Sequence, residues 1–190
     1  MPSPATRLQQ YFMKKHDATR LHYDLRLGWN GVLKSFVVED GPTDVAGNPR
    51  KAIEVEDHKR EYGSFEGVIA EGKYGAGTVM LWDRGMWEPL TECADVELDL
   101  RNGYLRFTLH GEKLKGIWEL IRRDKSVQNE KNFIWDLVKQ LDSFARDGRS
   151  GDILKEAPNS VKSRKTLEEI KHEWNNPKRK KKSDGPLFDM

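Results

Sequence analysis

Cysteine is almost absent from this chain of 190 residues, Cys93 being the only one. A disulfide within the chain is therefore excluded, and a reducing cytoplasm is the expected setting. Long hydrophobic runs are missing too. No apolar stretch approaches the roughly 18 residues that a membrane helix needs, so no membrane association is expected. The opening residues, MPSPATRLQQYF, lack the apolar centre of a secretory signal. An excess of one charge is also missing: 33 Lys and Arg against 31 Asp and Glu leave a net +2, too little to announce a polyanionic partner. What positive excess there is gathers at the C-terminus, in the run KRKKK at 178–182. Such a run either attracts polyphosphate or is a solvated tail.

Hydrophobic residues at 36% and charged residues at 34% describe a polar globular protein of one body and a tail. The body is expected over residues 1–165, with a helical segment and basic tail over 166–190. Turn signals between alternating apolar runs predict mainly β structure. Asn30-Gly31 joins LHYDLRL to VLKSFVV as a hairpin, because both central positions of a type I′ turn need positive φ. A second hairpin is expected where VELDL and YLRFTL flank Arg101-Asn102-Gly103. KAIEVED, GTVMLWD, GIWELIRR and NFIWDLVK complete a set of roughly eight strands, a number that favours a closed barrel or a sandwich. Helix is expected only at 138–146 and 166–174, with a linker at 148–165 between them. Gly75, Gly77 and Gly85 punctuate strands and form no phosphate loop, since no helix pattern follows them.

The stretch LHYDLRL at 21–27 places Leu21, Tyr23, Leu25 and Leu27 on one strand face and His22, Asp24 and Arg26 on the other. A strand with an ionic outer face would read alike. The residue types point further, because His with Asp is a metal-ligand pairing and the planar fork of Arg matches a phosphate. Chain reversal at Asp17 to Thr19 brings His16 over the same face, and His16, His22 and Asp24 would then leave coordination positions open on Mn, Fe or Zn. A two-histidine, one-carboxylate iron oxygenase shares that ligand set, but it draws its second histidine from a distant strand and needs a cosubstrate site. A second polar group, His58 and Tyr62, follows the strand IEVED.

The segments KKHDATRLHYDLRLGWNGVLKSFVV, KAIEVEDHKREYGSFEGVIAEGKYGAGTVMLWDRGMW and LHGEKLKGIWELIR resemble the phosphoesterase domain of DNA ligase D and its stand-alone relatives, over about residues 10–165. The signature is H-x5-H-x-D-x-R, then VEDH-x3-Y, then YGAG-x-V-x2-WD. The resemblance implies a closed antiparallel β-barrel of about eight strands with a few short flanking helices, and a groove that holds Mn2+ or another divalent transition metal. It implies an enzyme that trims a 3′-terminal ribonucleotide from a primer strand and then removes the remaining 3′-phosphate, leaving a 3′-OH for repair of DNA breaks. His16, His22 and Asp24 would be the metal ligands, Arg26, His58 and Tyr62 would contact the scissile phosphate, and Arg50 would be a further basic residue tied to activity. The implied partners are DNA or RNA–DNA primer-template 3′ ends, with a DNA ligase and polymerase beside them, and a monomer is expected.

Two positions depart from the pattern. Lys14 stands where family members usually have Gln, and Glu39-Asp40 stands where they have Pro-Lys before Gly-Pro. Asp40 exchanges attraction for repulsion of a polyanion, and Lys14 is expected to restore part of that charge. Asp40, together with an N-terminal arm expected to be shorter than in some relatives, motivates an alternative reading, a non-catalytic module that holds 3′ ends within an end-joining complex.

Overall fold

A tight turn at Asn30 and Gly31, with φ of 48° and 82°, joins β2 (Leu21–Trp29) to β3 (Val32–Val38). Positive φ at both residues is what a type I′ hairpin demands, and Asn-Gly supplies it at little cost. In the computed structural model, which describes residues 8–90, 95–124 and 132–177, seven further strands surround this hairpin. They are β1 (Gln9–Asp17), β4 (Arg50–Lys59), β5 (Gly67–Ile69), β6 (Gly77–Pro89), β7 (Tyr104–Gly111), β8 (Lys115–Arg122) and β9 (Ile134–Lys139). The sheet order is β1-β2-β3-β4-β9-β8-β7-β6-β5, and a β1–β6 pairing closes eight of these strands into an antiparallel barrel. β5 adds to β6 outside the closure. Closure removes the free edges that an open sheet would expose.

Aromatic side chains fill the barrel. Trp82, Trp87, Trp118 and Trp135 are fully buried. Edge-to-face pairs join Tyr23 to Trp82, Phe36 to Trp135 and Trp87 to Phe107, the arrangement that the ring quadrupole favours. The WD aspartate, Asp83, lies among these groups. Its carboxylate accepts from Tyr11 Oη at 3.2 Å and from the backbone N–H groups of Lys113 and Leu114 at 2.9 Å each, tying the β7–β8 turn to β6.

Three expectations are corrected. VELDL is helical: α1 (Val96–Asn102) begins under an Asp95 side chain that accepts from Leu98 N at 3.0 Å. Val96, Leu98 and Leu100 satisfy a strand period, but only Val96 and Leu100, one helical turn apart, are buried. Residues 138–146 are not helical, because Val138 and Lys139 complete β9 and the Asp142 carboxylate then accepts from Ile117 N at 2.7 Å and Phe144 N at 2.8 Å. The stretch 148–165 is more than a linker: it contains α2 (Ile153–Glu156), and Val161 N bonds to Leu81 O at 3.0 Å. The expected C-terminal helix is present as α3 (Leu167–Asn175). Thr166 and Glu169 form a capping box, and Ile170 is buried against the core. Cys93 and the basic run at 178–182 lie outside the described residues.

Candidate metal and phosphate site

The site begins with a register. β1 and β2 pair so that His16 faces His22, Lys14 faces Asp24 and Phe12 faces Arg26. Tyr11 and Met13 point into the barrel with Tyr23, Leu25 and Leu27, which leaves the polar set together on the outer face. There His16 Nδ1 lies 3.5 Å from Asp24 Oδ2, and His22 Nε2 lies 3.5 Å from Asp24 Oδ1. One ligand atom from each of the three residues falls within 4.8 Å of the others. Arg26 Nη2 lies 3.8 Å from Asp24 Oδ2.

The electrostatics of the group are those of a preassembled charged cluster. Burial raises the Asp24 carboxyl, but the imidazoles of His16 and His22 and the charge of Arg26 outweigh it and hold the group well below the usual carboxylate range. Asp24 in turn raises the His22 imidazole, against the opposing effect of partial burial. His22 Nδ1 lies 2.9 Å from Arg20 O, so an N–H donated there leaves Nε2 facing Asp24. Two buried atoms of this cluster have no hydrogen-bond partner among the described residues, His16 Nε2 and Arg26 Nη1. Native interiors seldom leave such groups unpaired, and a cation beside the first and an anion beside the second would satisfy both. Two imidazoles and a carboxylate suit a divalent transition metal with open coordination positions, so the residues present fit the metal that the sequence pattern implies.

The other sequence-predicted residues are placed as follows. His58 pairs with Leu33 near the end of β4, and its Nδ1 donates to Glu56 O at 2.8 Å. Burial, followed by the nearby charge of Arg26, lowers its pKa, and with Nδ1 donating to Glu56 O the neutral ring leaves Nε2 as acceptor. Tyr62 lies in a 3-10 turn, Arg60–Tyr62, directly after β4, with 58% of its surface exposed. Arg50 opens β4 opposite Leu137, and no hydrogen bond or ion pair joins it to the triad among the described residues; its Nε is another buried atom without a partner.

Lys14 and Asp40 depart from expectation. The Lys14 amine does not face an open groove but is buried, and burial with the neighbouring Arg26 lowers it to about 7. Asp40 is exposed, and its charge is met by Arg20 at 3.7 Å. Tyr74, in the YGAG motif, was not among the expected site residues. It is 79% exposed and lies in the field of Glu56, Arg26 and Asp24, while a Cβ on the next residue, Gly75, would stand 3.8 Å from His16 Cε1. The motif thus borders the triad; its glycines drew attention only as strand punctuation. A cavity of about 680 Å³ lies elsewhere, beside Lys34, Glu97 and Arg122, and contains none of the triad.

A closed antiparallel barrel that carries a His–His–Asp cluster and an arginine on one outer face suits a cation held next to an anion. The family model described as "DNA Ligase D 3′-phosphoesterase domain" matches residues 14–122, and the chain belongs to that family. It is 47% identical over 163 residues to the "Multifunctional non-homologous end joining protein LigD" of Pseudomonas aeruginosa, a match covering 86% of this chain and 19% of that protein. It is 42% identical over 118 residues to the LigD of Mycolicibacterium smegmatis, covering 60% of this chain and 15% of the relative. The "Multifunctional non-homologous end joining DNA repair protein LigD" of Mycobacterium tuberculosis is 37% identical over 135 residues, covering 66% and 17%. The match thus spans a fifth or less of each of these relatives. Among the described residues no helix is long and apolar enough to cross a membrane.

Proposed function

We propose that this chain is a Mn-dependent 3′-end-healing phosphoesterase. It removes a 3′-terminal ribonucleotide and a 3′-phosphate from a DNA or RNA–DNA primer strand during cytoplasmic repair of DNA breaks, beside a ligase and a polymerase. The observation that supports this reading is the single outer face on which His16, His22 and Asp24 come within 4.8 Å of one another and Arg26 stands 3.8 Å from Asp24. The family supports the same reading, its relatives being end-joining proteins by name.

His16, His22 and Asp24 would hold the ion, which would stabilise the negative charge that builds on the phosphate oxygens. Arg26 grips two non-bridging oxygens with its planar fork, from a site where few other groups compete for it. His58 takes up a proton when a phosphate settles between it and Arg26, because the anion offsets the guanidinium charge that depresses its pKa in the free protein. As water attacks phosphorus and the ester P–O bond breaks, it can donate this proton to the leaving oxygen, O5′ of the terminal nucleoside in the first step and O3′ of the primer in the second. Tyr62 donates a hydrogen bond from the rim, and Arg50 adds positive charge at the start of β4. Affinity comes from phosphate contacts and carries no base readout, so it falls as salt rises.

The test is incubation of the protein and Mn2+ with primer-templates ending in a 3′-ribonucleotide or a 3′-phosphate. Conversion of both to a 3′-OH is expected. Tight binding with no trimming at any metal concentration would replace the enzyme with an end-binding module.

A further inference from the structure

Lys14 is a buried lysine that no carboxylate pairs with among the described residues. Removing an ammonium from water is costly unless other dipoles replace the solvent, so its partners show what it is for. They are backbone carbonyls. Nζ donates to Tyr62 O and, at 3.1 Å, to Phe65 O, and it lies 5.6 Å from the centre of the Phe65 ring. Tyr62 ends the 3-10 turn, and its carbonyl otherwise accepts only a long bond, from Phe65 N at 3.4 Å, among the described residues. β1 therefore supplies the C-terminal cap of a turn 48 residues away.

A second contact from the same face of β1 fixes the height of the turn. Gly63 follows Tyr62, and a Cβ there would stand 2.3 Å from Phe12 Cε2. Only glycine lets the backbone lie this close on the Phe12 ring. Phe12 and Lys14, two residues apart on β1, thus hold the turn from below and by its carbonyls.

We propose that Lys14 is a positioning residue that clamps the 60–65 turn to β1 and thereby sets where Tyr62 stands relative to Asp24 and Arg26, without itself touching nucleic acid. It would act by its length and its two donated hydrogen bonds. The kinetic part of this inference rests on the phosphoesterase reading above; the conformational part does not.

The test uses the full chain with Lys14→Met, Lys14→Gln, Tyr62→Phe and the Lys14→Met/Tyr62→Phe double variant. Backbone hydrogen exchange over residues 60–66 should quicken at least about tenfold in Lys14→Met while β7 and β8 amides are unchanged. Lys14→Gln, which keeps a donor on a shorter stem, should fall between and serves in place of Lys14→Met if that variant does not fold. Unchanged exchange at 60–66 in both would overturn the clamp. In turnover, kcat should fall more than KM rises in Lys14→Met, and the double variant should be no slower than the slower single one. A rise in KM alone, or strictly additive losses, would make Lys14 a substrate contact and overturn the proposal. Wild-type protein inactive on both primer ends would remove the phosphoesterase reading, and the exchange result would still decide the clamp.

Discussion

His16 and His22 are direct partners across the β1–β2 ladder, with ring centroids 4.8 Å apart. Five residues of sequence separate them, and a tight reversal at residues 18–20 turns that separation into face-to-face placement. Asp24 stands one same-face step beyond His22, so a single hairpin assembles the whole ligand set. His16→Ala, His22→Ala and Asp24→Ala should each weaken Mn2+ binding by more than about a hundredfold, since even outer-shell partners of metal ligands cost 10–100-fold. Titration calorimetry with Mn2+ on the folded variants measures this; wild-type affinity in any of the three would remove that residue from the site.

Arg26 makes a sharper test of the anion. Arg26→Lys keeps the charge and loses the paired contact, so kcat/KM should fall roughly ten- to hundredfold, the equivalent of about 1.5–3 kcal/mol for a charge-assisted bond. Equal turnover by the lysine variant would mean that a point charge is enough.

His58 carries the pH dependence. Burial and Arg26 place its pKa below the ordinary 6.5, so at pH 7.5 it is neutral in the free protein. If contact with phosphate requires its protonated form, binding must take up about one proton per 3′ end at that pH, by linkage. Calorimetry with a primer ending in a 3′-ribonucleotide, compared among buffers of different ionisation enthalpy, reads this directly. The diester end has no titratable phosphate of its own near that pH. Uptake should vanish in His58→Gln, and equal uptake in that variant would assign the proton elsewhere.

Asp83 tests the barrel and leaves the site aside. Its carboxylate accepts from three donors, the buried Tyr11 hydroxyl and Leu114 N–H and the partly buried Lys113 N–H. Asp83→Ala leaves them unpaired and should lower stability by about 3 kcal/mol in urea unfolding, with an unchanged m-value. A loss below about 1 kcal/mol would show that water replaces the carboxylate.

The parts of this protein that were legible in its sequence are those fixed by short-range geometry. The Asn30-Gly31 turn and the alternation of LHYDLRL determine a hairpin and its faces locally, and H-x5-H-x-D-x-R is a pattern within that hairpin. β1 did not read as a strand because both its faces are covered: Tyr11 and Met13 by the barrel interior, Phe12 and Lys14 by the turn after β4. VELDL fits two periods at once, and only the packing of Val96 and Leu100 decides between them. Residues 138–146 carry Leu141 and Phe144 at helical spacing, yet both are exposed. The placements of Lys14 and Tyr74 depend on contacts between segments tens of residues apart, which no local pattern encodes.

The most direct measurement of the central claim is anomalous scattering from crystals grown with Mn2+. One strong peak bonded to His16, His22 and Asp24, with Arg26 reaching the same pocket, is the result expected. An ion bound elsewhere, or no density at that junction under saturating Mn2+, would contradict a metal-dependent phosphoesterase built on this face.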